Sequence, residues 1–349
     1  VTVLWGLAKW MAAMPSDIAV WTRAAVIVLF ILTFGWIALY FWSSIFGFLQ
    51  LLKRAKMPGL KYPGDVEAAL DAAFVAADGG DDRVAVAVRR TMADIHSRTA
   101  VLMPIYNEEP AQTMARLLAI GEDLGRAGGN GKFDMFVLSD TTDPKVWVKE
   151  EAVWYQAKKR LERLTDGGIR LYYRRRAQNT ARKSGNIEDF CNRWGAEYDF
   201  MIVLDADSLM TAETIAEMAR LMEENPHAGI IQASPQMINA TSMFAREQQF
   251  AGRIAGPVVG AGLAYWQAGN SNYWGHNAII RTRAFIECCG LPKLKGKGPF
   301  GGFILSHDFV EAALIARGGW SAWLLPELKG SYEECPPSMI DFAARDRRW

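Results

Sequence analysis

Asp205 and Asp207 stand one residue apart, directly after an apolar run from Phe200 to Leu204. Carboxylates so placed repel each other unless positive charge comes between them. Residues two apart in a strand share a face, and in the turn beyond it their side chains can converge. A hard divalent cation, magnesium or manganese, suits such oxygen donors. Two carboxylates leave its shell incomplete, with positions open for waters and for the phosphate oxygens of a substrate. An acidic surface turn that binds nothing is the competing reading; the place of the pair behind a core-like strand weighs against it.

Other polar groups cluster in the same way. Asp140 ends the apolar stretch KFDMFVLSD, where it can accept from a ring N–H or from ribose hydroxyls; the alternative is a helix cap or an Asx turn. In PIYNEEP, Tyr106 and Glu108 can project over a sheet edge to stack on a base and grip a ribose, or simply begin a helix with Pro110 in its first turn. The run RRRAQNTARKSGN supplies Arg174, Arg175, Arg176, Arg182 and Lys183. Lys183 opens a helix pattern, so its ammonium and the helix amides can meet a phosphate; a solvated basic face is the ordinary alternative. Asp308 lies at a helix start in LSHDFVEAAL and reads as an N-cap or as a general base for an attacking hydroxyl, with His307 beside it as an orienting group. His276 sits in an aromatic, glycine-rich turn with Tyr273 and Trp274, suited to a local hydrogen bond and to packing of a sugar. At the end of the chain Arg348 can fork onto a leaving phosphate and Trp349 can stack on a sugar ring.

These clusters need a scaffold that brings them together. From residue 99 short apolar runs alternate with amphipathic helical patterns, which predicts an α/β fold with a mostly parallel sheet flanked by helices. Ligands of such sheets bind beyond the carboxyl ends of the strands, where the polar clusters fall. Residues 53–98 read as a connector, and 99–349 as the domain that holds the site. The stretch 240–270 is helix-like but carries Pro257 and several glycines, and is open to two readings: a membrane-proximal segment or a kinked packed helix.

Residues 1–52 read as a membrane segment. Ala24 to Leu49 carries no charge, and a spanning helix needs roughly 20 such residues. Lys53, Arg54, Lys56 and Lys61 follow it, against Lys9 and Arg23 before it, so the large domain is expected in the cytoplasm. The opening VTVLWGLAKWMAAM is either the tail of an earlier span or an interfacial helix, and the initial Val suggests a trimmed chain. A net charge of +1 points to no nucleic-acid partner, and the four cysteines have neither metal-knuckle nor disulfide spacing.

Taken together, TAVLMPIYNEEP, FVLSDTTD, RRRAQNTARKSGNIEDF, VLDADSLM, YWGHNAIIR, GGFILSHDFVEAALIARGGW and RDRRW resemble the processive family-2 glycosyltransferases of the cellulose-synthase-like group. The likeness is stronger to the branch that builds the β-1,2 backbone of osmoregulated periplasmic glucans in Gram-negative bacteria. It implies a GT-A-type fold joined to at least one transmembrane helix. It also implies inverting, metal-dependent transfer from UDP-glucose to a growing β-glucan. The family's uridine-binding aspartate falls on Asp140, its metal-binding D-x-D on Asp205 and Asp207, and its catalytic base on Asp308. Two motifs depart from the usual pattern. T-E-D becomes Ser306-His307-Asp308, and Q-x-x-R-W becomes Arg345-Asp346-Arg347-Arg348-Trp349. The resemblance further implies a multi-pass protein of the bacterial inner membrane, with helices this chain would lack, and acyl carrier protein as a partner. Two other readings share the donor half: a transferase acting on polyprenyl phosphate, and a non-catalytic UDP-sugar sensor in the membrane.

Overall fold

The computed structural model describes residues 2–13, 19–53, 56–75, 89–296 and 301–347. Its centre is a seven-stranded sheet in the order β3-β2-β1-β4-β8-β6-β9. The strands are β1 (Thr99–Ile105), β2 (Phe133–Ser139), β3 (Arg170–Arg175), β4 (Phe200–Val203), β6 (Ala228–Ala233), β8 (Ala278–Arg281) and β9 (Ser321–Leu325). β8 runs antiparallel to both its neighbours, while the other paired strands are parallel. The expected mostly parallel α/β sheet is borne out.

Period-two alternation in the strands makes two cores, one on each face. Val101, Met103, Met135, Val137, Ile202 and Leu204 pack on one side with Leu117 and Leu124 of α4 (Pro110–Arg126), Leu161 of α5 (Pro144–Leu164) and Ile215 and Met218 of α7 (Ala212–Glu224). Ala100, Leu102, Phe136, Leu138, Met201 and Val203 face the other side. There they meet Ile187 and Phe190 of α6 (Arg182–Trp194), Phe285 of α9 (Thr282–Cys288) and Ile315 of α10 (His307–Arg317). Local chemistry starts the helices. Glu109 accepts from Gln112 N at 2.9 Å ahead of Pro110, and Asp143 accepts from Lys145 N at 2.8 Å ahead of Pro144.

The chain builds β1, β2 and β3 outward in one direction, then returns to place β4 on the other side of β1. The strand order therefore reverses between β1 and β4, and a crevice opens there at their carboxyl ends. A smaller sheet covers its rim, in the order β5 (Leu209–Met210), β10 (Ser331–Glu334), β7 (Gln236–Ile238). Strands of two to four residues carry too few side chains for a period to be read, so the sequence did not announce this sheet.

The segment before the sheet is part of the domain's packing. Met57, Leu60, Val66, Met92 and Ile95 are buried in the first core. Asn225 brackets Lys61, accepting from its N–H at 2.9 Å and donating to its carbonyl at 2.8 Å. Near it α3 (Gly64–Val75) is tied by Asp65 to Arg220 at 3.2 Å.

Helix α1 (Thr2–Ala13) precedes α2 (Val20–Lys53), which is long and apolar enough to cross a bilayer. α2 packs against α8 (Met243–Gln267), which runs through Pro257 as one helix. The contact is backbone on backbone. A Cβ at Gly47 would lie 1.8 Å from the Val258 carbonyl oxygen, and one at Gly262 would lie 1.9 Å from that of Ser43. Phe46 stacks on Tyr265 with ring centroids 5.5 Å apart and closes the crossing. Small residues permit such an approach, and larger ones push the helices apart.

Gly262→Ala is expected to destabilise the protein by about 1–3 kcal/mol. Gly256→Ala, in the same helix with nothing within 4 Å of the added methyl, is expected to be neutral or slightly stabilising. Thermal unfolding of both variants in detergent checks the contrast.

Candidate active site at the sheet switch point

Strand register decides the first pairing. Ser139 lies opposite Arg175, so the next residues, Asp140 and Arg176, leave the sheet side by side. Arg176 grips Asp140 with two bonds, Nε to Oδ1 at 2.7 Å and Nη2 to Oδ2 at 2.6 Å. Asp140 is 4% exposed. Arg176 also donates to the carbonyls of Thr180 and Arg182, at 3.1 and 3.0 Å, and so folds the following loop beneath the carboxylate. Asp143, not Asp140, caps α5, which leaves Asp140 in the cleft wall.

The turns after β1 and β2 are fastened to each other. Asn107, at φ 60°, accepts from the N–H groups of Thr142 and Asp143 at 3.2 and 3.1 Å. Its own N–H donates to Thr141 Oγ1 at 2.9 Å. Behind them Glu150, fully buried, accepts from Ser139 at 2.7 Å, Thr141 at 2.5 Å and Tyr173 at 2.9 Å. Tyr106 stands exposed at the lip of the cleft. Glu108 turns back to accept from the Tyr106 N–H, and burial pushes its carboxyl above the usual range.

At the tip of β4, Asp205 N donates to Ser208 Oγ at 2.9 Å, which bends the chain over Ala206 and Asp207. Lys183 reaches across from α6. Its ammonium donates to Asp205 Oδ1 and, at 2.8 Å, to the Gly275 carbonyl. Ala181 and Arg182, both left-handed at φ 56° and 51°, set the entry into α6 that makes this reach possible. Desolvation in the cleft would raise the Asp205 carboxyl, but the charge and hydrogen bond of Lys183, together with the nearby His276 and His307, outweigh it and hold the group down to about 2. Asp207 moves the other way, raised by burial and by the Asp205 charge.

The far wall is the start of α10. Asp308 is 2% exposed, and its Oδ1 has no hydrogen-bond partner. Burial raises its carboxyl, and neighbouring His307 opposes that shift. Gly275, at φ 90°, faces it: a Cβ there would lie 2.8 Å from Asp308 Oδ2. The residue whose carbonyl receives Lys183 is therefore also one that leaves no room for a side chain beside Asp308. Gln232 fixes this segment by accepting from Trp274 N at 2.7 Å.

One cleft of about 860 Å³ collects these groups. Of the residues expected from sequence, it brings together Tyr106, Glu108, Asp140 and Lys183 on one side, with Asp205, Asp207 and Asp308. Arg348 and Trp349 lie outside the described residues. Arg345, in the last turn of α11 (Met339–Asp346), does line the cleft.

Sequence reasoning missed three contributors. Glu333 and Glu334 arrive on β10, and Arg116 on α4 donates to the Ala206 carbonyl at 3.1 Å and pairs with Glu334 at 2.7 Å. Glu333 meets His276 Nε2 at 3.4 Å. Their strand, Ser331–Glu334, is too short to carry a period, so no local pattern pointed to the two acids. All four cysteines are free thiols, as their spacing suggested. Among the described residues no group of three or more His, Cys, Asp or Glu side chains is arranged to hold a metal. The acid pair supplies hard oxygen donors whose repulsion is only half relieved, by Lys183 on Asp205. That donor set fits a divalent cation whose remaining positions are filled by water or phosphate.

Comparison with known proteins places this architecture. Residues 100–289, from β1 to α9, match the family described as "Glycosyl transferase family 2". The chain belongs to glycosyltransferase family 2. It is 49% identical over 324 residues to "Glucans biosynthesis glucosyltransferase H" of Shewanella putrefaciens, and 50% identical over 323 residues to that of Shewanella oneidensis. Each alignment covers 93% of this chain but 40% of the relative, so the chain spans less than half the length of these proteins. Among solved structures, a mannosyltransferase from Pyrobaculum calidifontis, in complex with GDP-Man and Mn2+, shares the fold. Its TM-score is 0.51 at 18% identity, covering 81% of this chain and 72% of that one. With α2, the family-2 chain is membrane-associated.

Arg176→Met is expected to leave the buried Asp140 carboxylate unpaired and to cost about 3–5 kcal/mol of stability. Adding Asp140→Asn should restore much of that loss, because the uncompensated charge is gone. Denaturant unfolding of the two single variants and the double variant reads the coupling.

Proposed function

We propose that this chain carries the catalytic domain of an inverting glucosyltransferase that moves glucose from UDP-glucose to a growing β-1,2-glucan. The observation that carries the reading is the Gly275 peptide, which joins the acid-pair side of the cleft to the buried carboxylate of Asp308. A donor diphosphate and an attacking hydroxyl need groups of these two kinds on opposite sides of one carbon. Identity of about half to the glucan glucosyltransferases supports the choice of donor and product.

Asp140 and Tyr106 hold the nucleoside end of the donor, with Glu108 beside them at the β1 tip. Asp205 and Asp207 hold magnesium or manganese, which when bound neutralises charge on the departing diphosphate. Lys183, already at the acid pair, adds a positive charge for the same phosphates. Asp308 takes the proton from the acceptor hydroxyl as that oxygen attacks the anomeric carbon from the face opposite the leaving group. One displacement converts an α donor into a β product without a covalent enzyme intermediate. Arg348 and Trp349 keep their proposed parts, a fork on the leaving phosphate and a stacking surface for sugar.

The wider setting belongs to the same proposal. Residues 1–52 form a membrane segment of a multi-pass inner-membrane protein, 53–98 connect it to the domain, and 99–349 work in the cytoplasm. Helix α8 runs at the membrane surface, where exposed Met243, Phe250 and Ile254 would meet lipid. Acyl carrier protein is a candidate partner.

Linkage analysis of product from labelled UDP-glucose is the test, and a product without β-1,2 bonds overturns the assignment. Asp308→Asn should abolish transfer and leave UDP binding within a few-fold. Removal of divalent ions by a chelator should stop turnover, and added magnesium or manganese should restore it. A base must be ionised to act, and burial holds Asp308 above the ordinary value of about 3.9. The kcat/KM for transfer should therefore rise with pH through that elevated value, giving an acid limb displaced upward from a normal aspartate's.

A further inference from the structure

Beside Asp308 lies a second polar pair that the mechanism has not used. His307 Nδ1 and Glu311 Oε1 are 3.0 Å apart, one helical turn from each other on α10. Glu311 is 1% exposed, and its Oε2 has no partner. The rest of that helix face is apolar, with Ala312 and Ile315 in the core. A buried carboxylate with a single side-chain bond is costly unless its partner gains from it. What the imidazole gains is a fixed tautomer. With Nδ1–H donated to Glu311, Nε2 is left as an acceptor in a ring that cannot easily turn. His307 lines the cleft immediately next to the base.

The cleft that His307 lines also has the surfaces a sugar needs. Phe303 and Leu305 precede α10, line the same cleft and are 41% and 51% exposed. The apolar face of a pyranose packs on such side chains while its hydroxyls seek directed partners. The nucleotide groups Tyr106, Glu108 and Asp140 sit at the tips of β1 and β2, on other elements of the cleft.

We propose that His307 is an acceptor-binding residue: its Nε2, held by Glu311, accepts a hydrogen bond from a hydroxyl of the acceptor sugar and so presents the neighbouring hydroxyl to Asp308. Glu311 is then a positioning residue. This inference rests on the transfer reaction proposed above.

The experiment compares wild-type protein in detergent with His307→Ala, His307→Gln, His307→Asn and Glu311→Gln. Linear glucose oligomers serve as acceptor. Acceptor KM, UDP-glucose KM, UDP release without acceptor and thermal midpoint are measured for each. Loss of one hydrogen bond should raise acceptor KM up to about tenfold in His307→Ala, with UDP-glucose KM unchanged. Gln places its amide oxygen near the position of Nε2, and Asn places its polar atoms near Nδ1. Gln should therefore hold acceptor KM close to wild type, while Asn behaves like Ala. Glu311→Gln should shift acceptor KM in the same direction as His307→Ala. Unchanged acceptor KM in all variants, or better rescue by Asn than by Gln, overturns the proposal and leaves the pair a structural one. Should His307→Ala fail to fold, His307→Gln against His307→Asn still decides. Wild-type protein that binds UDP-glucose but transfers nothing to any glucan would instead remove the proposed function, a result distinct from an indifferent His307.

Discussion

The site depends on one ammonium group. Two carboxylates leave the tip of β4 on a single turn, and their mutual repulsion has to be met by positive charge. Lys183 meets half of it through Asp205, and the same nitrogen holds the Gly275 carbonyl. That contact ties the start of α6, the tip of β4 and the segment before β8 at the place where the strand order reverses. Without it the three segments lose this common partner, and Asp205 loses its counter-charge. Lys183 does not pair with Asp207, whose carboxyl is raised by burial and by the Asp205 charge.

Behind several polar groups in the cleft stand partners that orient them. Arg176 clamps Asp140, and Glu150 gathers the hydroxyls that shape the turns after β1 and β2. Gln232 holds the Trp274 backbone, and Asn277 donates to Ser331 at 2.8 Å, setting β10 in place. Such arrangements cost little reorganisation when a charged ligand arrives, because the dipoles are already aimed. The price is a set of buried polar atoms in an interior that apolar packing would otherwise fill.

Much of this was legible in the residues and some of it could not have been. Apolar runs such as VLMPI and FMIV announce strands because burial on both faces demands them, and the acids that follow stand out for lack of any packing role. Asp140, Asp205 and Asp207 stood out that way, and Asp308 by its place at a helix start. The Asp140–Arg176 clamp was not, since it follows from the register of β2 on β3, a relation between segments that no local pattern encodes. Strands β5, β7 and β10 are too short for periodicity, so Glu333 came unannounced. The α2–α8 crossing escaped for a different reason. Its glycines look like helix breakers in a linear reading, and their purpose shows only when the second helix is present.

That crossing also differs in kind from the cleft. Every tie around the acid pair is ionic or polar, so it responds to acidity and to dissolved salt. The meeting of Gly47 with Val258 and of Gly262 with Ser43 involves only shape and main-chain atoms. Nothing there titrates and nothing there is shielded by counterions. The closest approach of α2 and α8 is thus set by sterics, and it does not depend on the charge state of the cleft.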